Sequence, residues 1–536
     1  LHIVETFFGQ YQEHRSPERR TKLLFRFIQY IERQVVLFDA VEEATFPIIN
    51  NMDGRGTLRN VKEEAEDKNK LKELKQYLKR FKIRTVLTAH PTQFYPGPVL
   101  GIITDLADAI ENNKLDDIKL LLAQLGKTPF FKKQKPTPYD EAVSLIWYLE
   151  HVFYYSVSNI YNYIQNNIFE GEPLENQVIN LGFWPGGDRD GNPFVTTQIT
   201  LQVADRLRRT ILKNYHKDLR NLRRRITFKG AEPLVIALEA DVHKHLTLPA
   251  SKATLTSEGM LKQLTELNDI LIDEHQSLFV DLVSDLMHKI QLFGLHFATL
   301  DIRQDSRVHT TVMTNISESI PDLFDKPYAD YSEEEKITAL SELTGSIDPT
   351  ILTEEMAQKT IASIYAMKEI QITNGEQGCN RYIISNNGSV VNVLEAFAMI
   401  RLCDWEQPTV DVIPLFETVE DLLVADQVME TLYSNLEYAA HLKRRGQRQS
   451  IMLGFSDGTK DGGYLMANWS IFTAKERLTE ISRKYGLIAV FFDGRGGPPA
   501  RGGGKTHQFY ASMGNAVEHE EVQLTVQGQT ISSNFG

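Results

Sequence analysis

His90, in the run Thr88-Ala-His-Pro-Thr92, is the residue best suited to moving a proton near neutral pH, because imidazole titrates there. A solitary histidine more often serves as a structural hydrogen-bonding group. Its place directly after the apolar run 83–89 and before Pro91 favours chemistry. Glu417 and Asp457 follow two similar runs, so both carboxylates can project into one opening and share a cation. Magnesium takes one or two protein carboxylates and completes its shell with water and ligand phosphate. Either acid alone reads as a solvated charge or a helix cap. Together they read as a metal pair.

Two glycine-rich segments add to this set. The loop from Gly494 to Thr506 carries Arg495 and Arg501 among its glycines, and it lacks the phosphate-loop spacing because Pro499 stands six positions before Lys505. Glycines that expose backbone N–H groups, with two forked guanidinium donors, still suit an anion. A surface turn is the bland alternative, and the loop's place after an apolar run argues against it. The segment Gly182–Pro193 packs four glycines, three charges and Trp184 into one stretch, for which tight Asx-type turns and a functional role are equally good explanations.

These residues need elements to position them. Helical periodicity marks 59–81, 140–168, 199–226, 257–293, 354–371, 418–444 and 462–485. In the last of these Leu465, Trp469 and Phe472 share a face, and Gly486 supplies the expected end. Between the helices lie short apolar runs at 83–89, 297–303, 382–385, 410–416, 451–456 and 487–492, with 523–527 a possible seventh. Such runs fit strands buried on both faces of a parallel sheet. Their ends carry His90, Arg303, Asn386-Asn387-Gly388, Glu417, Asp457 and the Arg495 loop. Chemistry gathered at strand carboxyl ends is the habit of (β/α)8 barrels. The expected fold is therefore α/β: a TIM-type barrel with extensive helical additions, mostly helical in content. Closure takes eight strands and only six or seven are visible, so either one or two go unread in this sequence or they lie beyond Gly536; the barrel is expected to be incomplete in this chain.

Composition narrows the classes. The chain has 536 residues, of which 42% are apolar and 24% charged, the proportions of a soluble globular protein. A net charge of -13 opposes nucleic-acid binding while leaving room for a local anion site. Cys379 and Cys403 are too few for a disulfide framework and are not spaced as zinc ligands. No run of about 18 uncharged apolar residues or leader-like core is present, so no membrane partner is expected and the cytoplasm is the default location. The start at Leu1 rather than Met, and the end at Gly536 just after a strand-like run, suggest that one or both ends were cut.

Six motifs in order resemble phosphoenolpyruvate carboxylase: Val86–Gln93, Gly182–Pro193, Leu300–Ser306, Pro414–Leu422, Met452–Asp461 and Gly494–Gly504. The resemblance spans nearly the whole chain and implies one decorated-barrel domain over 1–536, truncated at its C-terminus. It implies an enzyme, a carbon–carbon lyase, that converts phosphoenolpyruvate and bicarbonate to oxaloacetate and phosphate with Mg2+ or Mn2+, supplying the tricarboxylic acid cycle. Matched by position, Glu417 and Asp457 would hold the metal. Arg303 and Arg495 would bind substrate phosphate, and Trp184 would wall the carbon dioxide pocket. His90, Lys460 and Arg501 would be catalytic: His90 takes a proton, Lys460 orients bicarbonate and Arg501 holds the loop closed. An allosteric homotetramer is implied for the full-length enzyme, and inactivity for this chain alone. Asp493 where the family has His, Ala500 for Gly, and Lys505-Thr506 for Pro depart from the family loop. The alternatives are a phosphotransferase that carries phosphate on His90 and a noncatalytic assembly module.

Overall fold

The computed structural model describes residues 2–11, 16–49, 51, 54, 56–88, 97–130, 136–249, 252, 254–495, 506–527 and 531. His90, Arg501, Ala500 and Lys505 lie outside them. The chain divides into two compact units, Leu1–Asp67 with Pro91–Lys135, and Lys68–His90 with Pro136–Gly536. The first is helical, and its core gathers Val36, Ala40, Val99, Ile102, Leu106 and Leu125. Large apolar side chains on its Pro17–Ile49 helix, including Phe25, Ile31, Phe38 and Ile48, are exposed.

The second unit is built on eight parallel strands that close in chain order: β1 (Lys82–Thr88), β2 (Ile179–Phe183), β3 (Thr299–Asp305), β4 (Arg381–Ser385), β5 (Asp411–Phe416), β6 (Arg448–Gly454), β7 (Ile488–Gly494) and β8 (Glu521–Gln527). β1 pairs with β2 on one side and β8 on the other. The expectation of an incomplete barrel is thus wrong. The run at 523–527 is the closing strand, and the strand that escaped notice is β2. Its sequence, Ile-Asn-Leu-Gly-Phe, has too few β-branched residues and too much turn chemistry to read as a strand.

Strand limits shift for local reasons. Phe297 has φ of +62°, the left-handed region, so β3 starts at Thr299 and runs two residues past Arg303. Helical runs break similarly. The 257–293 stretch is two helices, Ser257–Glu274 and Val280–Phe293, parted by left-handed Gln276, Ser277 and Phe279. The 418–444 stretch breaks at Asn435, whose side chain caps the second helix. The 462–485 helix begins earlier, at Ser456, and kinks at Gly463. It ends before Gly486, with φ of +70° as anticipated. Its buried side is Ala467, Ser470, Ile471, Ala474 and Leu478, whereas Leu465 and Trp469 are 82% and 63% exposed.

No described helix is long and apolar enough to cross a membrane.

The barrel interior is layered by register. Arg84 pairs in the ladder with Gln523, and Asp301 with Arg381. Two residues further along, Val86, Ile383 and Ile413 join Leu415, Met452, Phe492 and Trp184 in an apolar cluster. Alternation along a strand puts Asp301, Arg303 and Asp305 on one face, in successive layers toward the carboxyl mouth.

Candidate active site at the barrel mouth

The segment after β2 crosses directly onto β3. Arg189 N–H donates to the Arg303 carbonyl (2.9 Å), and Arg303 N–H donates to the Gly187 carbonyl (3.1 Å). A Cβ at Gly187 would lie 2.1 Å from the Asp301 carbonyl oxygen, so only glycine permits this approach. The crossing sets Asp188 and Asp190 beside Arg303. Nε of Arg303 donates to Asp188 (2.8 Å), and its terminal nitrogen lies 3.3 Å from Asp190. The Trp184 ring forms the third flank, 4.8 Å from the guanidinium carbon. Burial alone would lower the Arg303 pKa. The two aspartates and Glu417 more than offset it and hold the guanidinium charged.

Next to this cluster stands Glu417, one residue past β5. Its Oε2 accepts the backbone N–H of Asn386 (2.9 Å). Asn386 adopts left-handed φ of +50° at the end of β4, and its side chain also donates to Asp305 (2.8 Å). One asparagine thereby ties the ends of β3, β4 and β5. Burial pushes the Glu417 carboxyl above its ordinary range. Asn386 and Arg303 oppose the shift, and Asp457 and Asp190 add to it. Asp457 lies in the first turn after β6 and pairs with Lys460 at 2.7 Å; both are exposed. The capping work that strand-end acids often do is done by others. Thr418 and Asp421 form the capping box after β5, and Phe455 starts the helix after β6 without a side-chain bond. Neither Glu417 nor Asp457 is therefore used as a helix cap.

The structure therefore brings together Trp184, Arg303, Glu417, Asp457 and Lys460. Arg495 is placed by aromatic rings: its guanidinium lies 3.7 Å from the centroid of Phe509, near Tyr510 and Asp493. Asp493 is wholly buried. Lys475 reaches it at 2.8 Å, and the Tyr510 hydroxyl donates to it at 2.8 Å. Sequence reasoning left Asp188 and Asp190 undecided within their glycine-rich motif and gave Asn386 no role. The signal for the aspartates was the Asp-Arg-Asp triplet close behind Trp184. Among the described residues no cluster of three or more His, Cys, Asp or Glu could hold a metal by itself. Two carboxylates, one of them under like-charge repulsion, match the sparse protein donor set of magnesium.

A profile of the family described as Phosphoenolpyruvate carboxylase matches residues 39–247 and 234–536. Similar curated proteins carry that name in three bacteria. The Nitrosomonas eutropha protein is 28% identical over 549 residues, covering 90% of this chain and 58% of the relative. For Shewanella halifaxensis the figures are 28% over 503 residues, 86% and 56%. For Gloeobacter violaceus they are 25% over 536 residues, 86% and 57%. The chain thus spans somewhat more than half the length of these relatives.

Proposed function

Because this chain belongs to the phosphoenolpyruvate carboxylase family by its match over 39–247 and 234–536, we propose that its barrel mouth binds phosphoenolpyruvate and bicarbonate for conversion to oxaloacetate and phosphate. The observation that carries this reading is the convergence of Trp184, Arg303 and Glu417 at the ends of β2, β3 and β5, with Asp457 electrostatically coupled to Glu417.

Arg303 spends two donors on Asp188 and Asp190, and its remaining donors meet the substrate's anionic oxygens. Glu417 and Asp457 would hold a Mg2+ or Mn2+ ion. When bound, the ion supplies charge neutralisation for the enolate that develops. Lys460 orients bicarbonate, whose oxygen bonds to phosphorus as the bond from phosphorus to the enol oxygen breaks, giving carboxyphosphate and the enolate. His90, assigned by its motif alone, takes the carboxyphosphate proton so that carbon dioxide and phosphate part. The enolate carbon then attacks carbon dioxide against the wall formed by Trp184. Arg495 joins Arg303 in binding the substrate phosphate, and Arg501, assigned by its motif alone, holds the loop closed so that water is kept from these reactive species.

Calorimetric titration of the chain with phosphoenolpyruvate and Mn2+ tests the binding half. Binding is expected for the native chain and is expected to be lost in Arg303→Met; a folded native chain that binds neither ligand would sink the reading. Turnover is a separate matter, since the chain spans 58% of the Nitrosomonas relative. In an NADH-coupled assay, oxaloacetate is expected from a polypeptide of the relatives' length, with His90→Asn abolishing it, and not from this chain alone. Acid-labile label on His90 after exposure to labelled phosphoenolpyruvate would replace carboxylation with phosphotransfer.

A further inference from the structure

Asp301 lies on β3, two residues before Arg303, with its side chain wholly buried in the barrel. Its two oxygens do different work. Oδ1 accepts from the Arg84 guanidinium at 2.8 Å, with Arg381 Nε at 3.4 Å. Oδ2 accepts from the Trp184 indole N–H at 3.1 Å. The Phe492 ring packs edge-to-face against the same indole at 6.0 Å. An indole held at its N–H and braced on one side is restrained in rotation, which favours the face it presents to Arg303.

We propose that Asp301 is a positioning residue for anion binding, acting through the Trp184 indole to set where the Arg303 guanidinium lies. The chemistry of the three flanks of Arg303 supports the assignment. Asp188 and Asp190 each consume donors that an anionic ligand needs. The Trp184 face holds the same cation and consumes none, because a π face attracts charge without accepting a directed N–H bond. A ring is therefore the flank that can orient Arg303 while leaving its fork open, and the ring's own orientation is set by Asp301. The rival explanation is that Asp301 serves only to neutralise Arg84 and Arg381.

The inference rests on the proposed role of Arg303 in binding substrate, so the test has two arms. The first needs no ligand. In 15N-tryptophan-labelled full chain, Trp184→Phe identifies the Trp184 indole resonance, which in the native chain should be protected from solvent exchange. Asp301→Asn has one carbonyl oxygen, which Arg84 claims, so its NH2 faces the indole; the resonance should move and its protection fall. In the second arm, affinity for phosphoenolpyruvate with Mn2+ should weaken about tenfold in Asp301→Asn and about tenfold in Trp184→Phe, the scale of a cation–π contact misaligned at a desolvated site. The double variant should be no weaker than either single, since both act on one contact. Trp184→Phe leaves the Arg84–Asp301–Arg381 cluster intact and so remains informative if Asp301→Asn folds poorly. An indole resonance indifferent to Asp301→Asn, or losses that multiply in the double variant, would overturn the inference. A native chain with a protected, Asp301-dependent indole but no phosphoenolpyruvate binding would instead refute the substrate assignment and leave the positioning link standing.

Discussion

Two layers of the same barrel treat charge in opposite ways. In the inner layer Arg84, Asp301, Arg381 and Gln523 are buried and bonded to one another: Arg84 to Asp301, and Arg381 to Gln523 at 2.6 Å. Two layers further out, Glu417 is desolvated and faces further negative charge from Asp457 and Asp190. In the inner layer two guanidiniums share the one carboxylate, and burial together with Arg381 lowers the Arg84 pKa to about 10, so both cations depend on Asp301. An incompletely balanced carboxylate costs the fold stability, and a bound cation recovers it. The inner layer sets its one carboxylate between fixed cations, and the outer layer leaves Glu417 with its pKa raised by burial and by neighbouring carboxylates despite Arg303.

The contrast breaks most easily from the inside. Asp301→Leu strands two buried guanidiniums, and denaturant unfolding should register a loss of about 3–5 kcal/mol; a loss under about 1 kcal/mol would mean that the two layers do not differ. Lys475→Met sharpens the comparison, because the Lys475–Asp493 pair lies at the mouth yet is fully buried. If sealing rather than depth is what matters, thermal melts should show a loss of about 3 kcal/mol, mostly recovered when Asp493→Asn is added.

Glu417→Gln should act with the opposite sign. A carboxyl raised above its unfolded value, near 4.5, contributes stability that is complete below that value and is lost as pH rises through the folded one. Unfolding measured from pH 4 to 7 should therefore show the native chain losing stability relative to Glu417→Gln. The variant should gain up to about 1 kcal/mol at neutral pH, while titration shows weaker Mn2+ binding. Lys460→Met should have the smallest effect on stability, under about 1 kcal/mol by the same melts, because its partner Asp457 is exposed.

How much of this was legible depended on what each residue had to do. Six strands announced themselves because parallel strands covered on both faces are nearly continuous apolar runs, and the polar-interrupted β8 was readable only as a possible seventh. β2 did not, because Asn180 and Gly182 are accommodated by a specific neighbour: a Cβ at 182 would press on Val86 and Arg84. Glu417 and Asp457 were readable from their places after strands. The pairing of Arg303 with Asp188 and Asp190 was not, since it depends on a chain crossing enforced by Gly187. Periodicity found the Ser456–Lys484 helix but placed Leu465 and Trp469 on a shared face without revealing that this face is open to solvent. His90 and Arg501 rest on their motifs alone.

The ladder between β2 and β3 runs over Gly182–Thr299 and Phe183–Leu300, with the Asp188–Arg303 bridge continuing the seam. By contrast, β1 meets β8 along its whole length, from Lys82 to Thr88. The short ladder also joins strands separated by the long helical insertion between 183 and 299. Closing so long a loop costs entropy that grows only with the logarithm of its length, and that cost must be met before the contact rewards it. The backbone bridge that lengthens this seam lies at the same two residues, Asp188 and Arg303, whose side chains pair at the barrel mouth, so loosening the seam there would also unseat that pair.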